Sequence, residues 1–138
     1  MVVTKTIRLT AEGYCDLHNI TGEVQDNVSS SGINSGTVTV FVPGSTGGLT
    51  TIEYEPGLIQ DMPDFMEKII PSGVSYKHDE TWHDGNGFSH LRAALIGPSL
   101  TVPFISRKLT LGTWQQIVFI DFDNKSRERE LILQIVGD

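Results

Sequence analysis

Residues 37–54 read TVTVFVPGSTGGLTTIEY. Thr37–Val42 is dense in β-branched side chains, which pack well on a pleated, half-buried surface, so it reads as a buried strand. Pro43-Gly44 stops it, because proline has no N–H to donate to a ladder. A loop of small residues follows, and Leu49–Tyr54 then reads as a second strand and the natural partner of the first. Upstream, residues 2–10 place Val3, Ile7 and Leu9 on one side and Val2, Thr4, Thr6 and Arg8 on the other, the period of two of a half-buried strand. Glu12-Gly13 reads as a turn into a strand around Tyr14–Asn19. Thr21 is a candidate cap for a helix running to about Ser31, with Val24 and Val28 on its inner face and Gly32 ending it. Downstream, Leu58, Met62, Phe65, Met66, Ile69 and Ile70 recur at helical spacing. Pro63 interrupts them, so the expectation is a short turn followed by a helix with Pro63 in its first turn. Residues 74–88 read as a long loop, and Ser89–Ile96 as a short helix ended by Gly97-Pro98. Leu100–Ile105, Thr113–Phe122 and Arg129–Val136 read as strands, with Asp123–Ser126 as a hairpin turn. Many strands with few helices predict one α+β domain over residues 1–138, an antiparallel β-sandwich carrying two or three packed helices.

Composition narrows the function classes. The 138 residues are 38% hydrophobic and 20% charged, ordinary for a globular chain. A net charge of −7 with no Lys/Arg block argues against nucleic acid, whose phosphates need neutralising cations. Apolar runs fall far short of the roughly 20 residues that span a bilayer, so no membrane is expected. One cysteine, Cys15, allows no internal disulfide, which fits a cytoplasmic protein; Cys15 itself reads as a packed strand residue.

Three of the four histidines fall in KHDETWHDGNGFSH, at 78, 83 and 90. Spacings of five and seven are not helical, so convergence of His78, His83 and His90 requires a loop, for which Gly85 and Gly87 give freedom. Three imidazoles with one open position are the pattern of catalytic zinc; nickel, cobalt or iron take the same ligands. His90 stands at a helix start, with Ser89 or Asn86 as cap, where the macrodipole disfavours imidazolium and attracts a phosphate. Glu80 and Asp84 are candidates for a ligand, an imidazole partner or a general base. The plain alternative is a solvated acidic loop with each histidine satisfied by a carboxylate. His18, alone in a strand, reads as a packed or surface residue.

Elsewhere, Ser45 and Thr46 sit in a glycine-rich loop able to cradle an oxyanion, although such a loop is more often a plain connection. Glu53 and Glu55 share a strand face; a partly buried pair suits acid/base work. Arg92 is a candidate phosphate clamp and Gln115 a candidate ligand-orienting amide, while Trp114 reads as core. Arg127, Glu128, Arg129 and Glu130 alternate in sign and read as solvated surface.

Several of these segments, in this order, resemble the YjbQ-like family: Phe41-Val42-Pro43 with Ser45-Thr46, Thr51-Ile52-Glu53, Glu55-Pro56-Gly57, His78-Asp79 and Asn86-Gly87. The resemblance continues through Ser89-His90-Leu91-Arg92-Ala93, Gly97-Pro98-Ser99, Leu111-Gly112-Thr113-Trp114-Gln115 and Val136-Gly137. It implies an α+β antiparallel sandwich, a homotrimer, and a site near the subunit boundary around the histidine segment and Glu53. It also carries the name secondary thiamine-phosphate synthase, an activity joining a hydroxymethylpyrimidine diphosphate to a thiazole phosphate. One departure is Gly44, where relatives place a histidine; His83 is then a candidate substitute. The expected function is a metal-dependent enzyme, zinc first, acting on a small phosphorylated or heterocyclic substrate. The alternative is a non-catalytic trimer that binds a metal or small ligand.

Overall fold

A computed structural model describes residues 1–138. The strands are β1 (Val2–Ala11), β2 (Asp16–Asn19), β3 (Gly36–Phe41), β4 (Gly47–Ile52), β5 (Ser99–Ile105), β6 (Lys108–Leu109), β7 (Gln116–Asp121) and β8 (Arg127–Gly137). The helices are α1 (Thr21–Ser29), α2 (Pro56–Ile69), α3 (Lys77–Trp82) and α4 (Gly87–Ile96). One antiparallel sheet has the order β1-β8-β3-β5-β6, the other β2-β7-β4. This is the expected α+β class, with four helices in place of two or three.

Three layers result. Inward residues of the larger sheet (Ile7, Val38, Val40, Phe104, Leu131, Leu133, Ile135) meet Leu49, Ile117 and Phe119 of the smaller one, and α1 closes the end of this core with Val24 and Val28. The other face of the small sheet, Leu17, Val118 and Ile120, joined by Phe122 just past β7, packs under Met66 of α2 and Ala93 of α4. β7 is therefore buried on both faces, which is why its sequence is a continuous apolar run rather than an alternation.

The strands lie close to where the alternation places them, but their partners differ. β3 and β4 are not a hairpin: β3 pairs with β5 and β8, and β4 with β7. The 43–46 loop instead carries the chain from one sheet to the other. Asp123–Ser126 does the same between β7 and β8, and 12–15 between β1 and β2. The last of these needs consecutive left-handed residues, Gly13 (φ +88°), Tyr14 (φ +57°) and Cys15 (φ +80°). A Cβ on Gly13 would stand 2.3 Å from the Asp123 carbonyl oxygen.

The helices depart in three places. Asn19, not Thr21, accepts the capping bond of α1, from Thr21 N at 3.1 Å. α2 runs unbroken through Pro63; Glu55 caps it by accepting from Gly57 N and Leu58 N, and Met66 anchors it in the core. Within the expected 74–88 loop, α3 forms because Asp79 accepts Tyr76 N at 2.9 Å and Gly87 N at 2.9 Å, stitching both ends of the segment together. No helix is long and apolar enough to cross a membrane.

Candidate functional site

At the end of the sandwich where β3 leads to β4 and β7 to β8, a cleft of about 340 Å³ opens between the two crossovers and the α3–α4 segment. One wall carries His78, Trp82, Asp84 and His90; the opposite wall carries Ser45, Thr46, Arg127 and Arg129, with Asn86 between.

Under the arginine wall lies a buried ion-pair network. Arg129, 7% exposed, donates from Nε to Asp121 Oδ2 at 2.7 Å and from Nη2 to Asp121 Oδ1 at 3.1 Å. The same Nη2 donates to Thr46 Oγ1 at 2.7 Å, and that hydroxyl donates to Asp123 Oδ2 at 3.1 Å. Arg127 pairs with Asp123 from the rim. Burial pushes the Asp123 carboxyl up, but the Asn124 N–H, Arg127 and the Thr46 hydroxyl outweigh it and hold it below the usual carboxylate range. Arg129 Nη1 makes no hydrogen bond within the chain and faces Gly44, where a Cβ would stand 3.4 Å away.

On the opposite wall, the His78 and His90 rings lie 4.1 Å apart, tilted by 38°. His78 Nδ1 is buried without a hydrogen-bond partner. It stands 3.7 Å from Asp84 Oδ1 and 4.0 Å from Asp79 Oδ1, too far for hydrogen bonds. The ligand atoms of His78, Asp79 and Asp84 all lie within 4.8 Å of one another. Ligands around a tetrahedral zinc ion stand roughly 3.3–3.6 Å apart, given bonds near 2.0–2.2 Å, so the donors fit an ion after a small inward shift. Asn86, with its amide nitrogen turned to Asp84, holds that carboxylate from 2.9 and 3.2 Å. His90's pKa is lowered from 6.5, first by burial and then by neighbouring His78. The direction matches the sequence expectation, but burial rather than the helix end leads the causes.

The structure brings together Ser45, Thr46, His78, Asp84, Asn86 and His90. His83 does not join them: it caps α3 in a left-handed conformation (φ +57°), exposed and outside the cleft lining. With His83 outside the lining, the cleft holds two of the three histidines, His78 and His90. Glu80 is exposed on α3 and does not line the cleft. Glu53 lies beyond the far end of β4, beside Tyr54 and Trp114 in a separate cleft, about 20 Å of strand away. Trp114, read as core, is 72% exposed. Gln115 accepts from Gly112 N at 3.0 Å and donates to Thr51 Oγ1 at 3.1 Å, tethering its own loop. Arg92 is 1% exposed and donates to the Ile70 carbonyl and to Glu67, with its guanidinium 4.9 Å over Phe88. It ties α4 to α2 and does not line the cleft. The start of α4 does attract an anion, but that anion is the chain's own Asp79.

Asp121, Asp123, Arg127 and Arg129 escape the sequence reading. A signal existed: Leu131, Leu133 and Ile135 face inward on β8, and extending that parity backward gives 129 and 127 the same side, with Arg129 buried and Arg127 emerging at the exposed strand start.

Two antiparallel sheets, helices over one of them, and a histidine–carboxylate wall facing paired arginines define a sandwich protein of the α+β class with one polar end cleft. The family model described as UPF0047 protein YjbQ-like matches residues 5–138, and the chain belongs to that family. It is 42% identical over 117 residues to a UPF0047 protein of Archaeoglobus fulgidus, covering 85% of this chain and 89% of the relative. A UPF0047 protein of Methanothermobacter thermautotrophicus is 37% identical over 136 residues, 99% and 93% of the two chains. Among solved structures, a YbjQ-like protein of unknown function from Sulfolobus solfataricus superposes with a TM-score of 0.94 at 30% identity, covering 100% of this chain and 99% of its own.

Proposed function

We propose that the end cleft is the active site of a metal-dependent enzyme acting on a small phosphorylated or heterocyclic substrate. The observation that carries this reading is the buried, unpartnered Nδ1 of His78 beside two carboxylates, across one cleft from Arg127 and Ser45. His78 and Asp84 would hold the ion, with Asp79 as third donor and His90 adjoining. A divalent ion there supplies Lewis-acid polarisation of a substrate oxygen. Zinc remains the first expectation, and the two carboxylates also admit manganese or magnesium. His90, neutral at pH 7, accepts a proton; Arg127 and Arg129 Nη1 orient the anion; Ser45, exposed and without a partner in the chain, donates to it. Trp82, 70% exposed, offers a flat apolar face at the rim. A secondary thiamine-phosphate synthase activity belongs to this reading.

A non-catalytic trimer binding a metal or small ligand is the second reading. It is favoured by the extent to which the cleft's charges already satisfy one another: Asp79 accepts two backbone N–H groups, and Asp121 and Asp123 pair with both arginines. The homotrimer is proposed for either reading. Exposed Phe65, Ile69, Leu91 and Leu95 supply apolar helix surface for it, and a neighbouring copy is what would bring Glu53 to the cleft. Light scattering on the purified protein decides this; a monomer at micromolar concentration rejects it.

Elemental analysis of protein purified without chelator tests the metal. Wild type and His83→Ala should carry near-stoichiometric ion, and His78→Ala and Asp84→Asn should lose it. Incubation with phosphate esters and thiamine precursors, wild type against His90→Gln, then separates turnover from mere binding. A metal-free wild type, or a His78→Ala protein that keeps its ion, rejects the assignment.

A further inference from the structure

The polar cleft does not end at His90. Past it, Gly44, Ser45 and His90 form one side of a second cavity of about 230 Å³, completed by Gly47, Ala93, Ala94 and Pro98. The two cavities share those first three residues, so they are compartments of one groove with His90 and Ser45 at the threshold. Their chemistry differs sharply. The first holds Asp84, Arg127 and Arg129; the second has no Asp, Glu, Lys or Arg in its lining.

Its shape is fixed by the sequence. Gly47 rests on Phe119, whose ring carbon would stand 2.7 Å from a Cβ there, and the next residue, Gly48, outside the lining, packs on Ile96 of α4 at 2.8 Å from such a Cβ. The backbone floor therefore cannot recede, nor can a side chain be added to it. Gly44 turns the loop at φ +124° and adds no side chain at the threshold. The roof is the methyl face of α4, Ala93 buried and Ala94 exposed. A charged group entering here would lose its hydration with nothing to replace it, whereas an apolar one gains by leaving water.

We propose that this second compartment receives an uncharged apolar arm of a phosphate monoester whose anionic head lies against Arg127, and that Ala94 sets the length of arm accepted. The inference rests on the reading of the first compartment as an anion site. At roughly 30 Å³ per water-sized group, the open space takes an arm of at most about seven or eight non-hydrogen atoms. It also places the bond between head and arm beside His90 and Ser45.

The test is titration calorimetry with inorganic phosphate and with methyl, propyl and pentyl phosphate, on wild type, Ala94→Leu and Arg127→Gln. Ala94 is exposed in the last turn of α4 and leucine is a good helix former; circular dichroism and light scattering check that Ala94→Leu folds and assembles as wild type does. Wild-type affinity should rise along the ester series, by up to about fourfold per methylene, the factor for full burial of a CH₂. Ala94→Leu should bind inorganic phosphate as wild type does and show a flat series. A flat series in wild type, or an undiminished rise in Ala94→Leu, overturns the subsite alone, provided phosphate binding depends on Arg127. Failure of wild type to bind inorganic phosphate, or binding indifferent to Arg127→Gln, overturns the anion site and this inference with it.

Discussion

Replacing Arg129 by Met removes the cation from a pair in which Asp121 has no exposed surface and Arg129 has 7%. The carboxylate loses two charge-assisted hydrogen bonds, at 2.7 and 3.1 Å, and Thr46 Oγ1 loses a donor at 2.7 Å. Asp123, 4.0 Å from the same guanidinium, loses a weaker attraction. Breaking a buried pair from one side costs about 3–5 kcal/mol, because a desolvated charge is left behind. With a urea slope near 2 kcal/mol per molar, the midpoint should fall by about 1.5–2.5 M. Arg129→Met/Asp121→Asn should recover at least half of that loss, since the amide carries no charge and its oxygen still accepts the Asp123 N–H now held at 3.0 Å. Equilibrium urea unfolding followed by circular dichroism measures all three proteins. A single-variant loss below about 1 kcal/mol, or a double variant no better than the single, refutes the buried-charge argument.

Three further outcomes follow from the same fold. Gly13→Ala should cost at least about 2 kcal/mol, combining a left-handed backbone with a Cβ 2.3 Å from a carbonyl oxygen. Gly73→Ala, in open space, should stay within about 0.5 kcal/mol, and equal urea midpoints for the two would contradict the geometry. Burial pushes the Cys15 thiol up to about 12, so Ellman's reagent at pH 8 should modify it no faster than the chain unfolds; rapid labelling of native protein would count against its burial. Glu67 is held below 4.5, chiefly by the Ser72 N–H, and Asp123 below 3.8. Depressed carboxyls stabilise the fold above their unfolded values and lose that contribution as pH falls through the folded ones, so stability should decline below about pH 4.5. Glu67→Gln should flatten the upper part of that decline, and an unchanged profile tells against it.

Period-two alternation made the strands legible, and β-branched density found β3 without help. Pairing was not legible. Alternation says which face of a strand is buried and nothing about its neighbour, and the short turns at 43–46 and 123–126 look like hairpin turns whether they reverse the chain or pass it to another sheet. The cleft was half legible. His78, Asp84, Asn86 and His90 cluster in sequence, so their meeting needed only a folded segment. The arginines hid because alternating charge resembles a solvated face; Arg129 is buried only because Asp121, on the strand before, pairs with it, and Arg127 is held at the rim by Asp123 from the crossover. Arg92 misled for the opposite reason, since adjacency to a histidine in sequence placed it on a different face of α4.

The first and last strands are neighbours: Val2 faces Val136 and Ala11 faces Arg127 across ten paired positions. During synthesis, β1 consequently waits for its only sheet partner until the ribosome has added more than a hundred further residues. At about 5–20 residues per second that interval lasts roughly 6–25 s, with a ten-residue β-prone segment unpaired on both sides. Nascent chains stalled before residue 127 should therefore expose residues 2–11 to protease or chaperone capture, and that exposure should vanish once the final strand emerges.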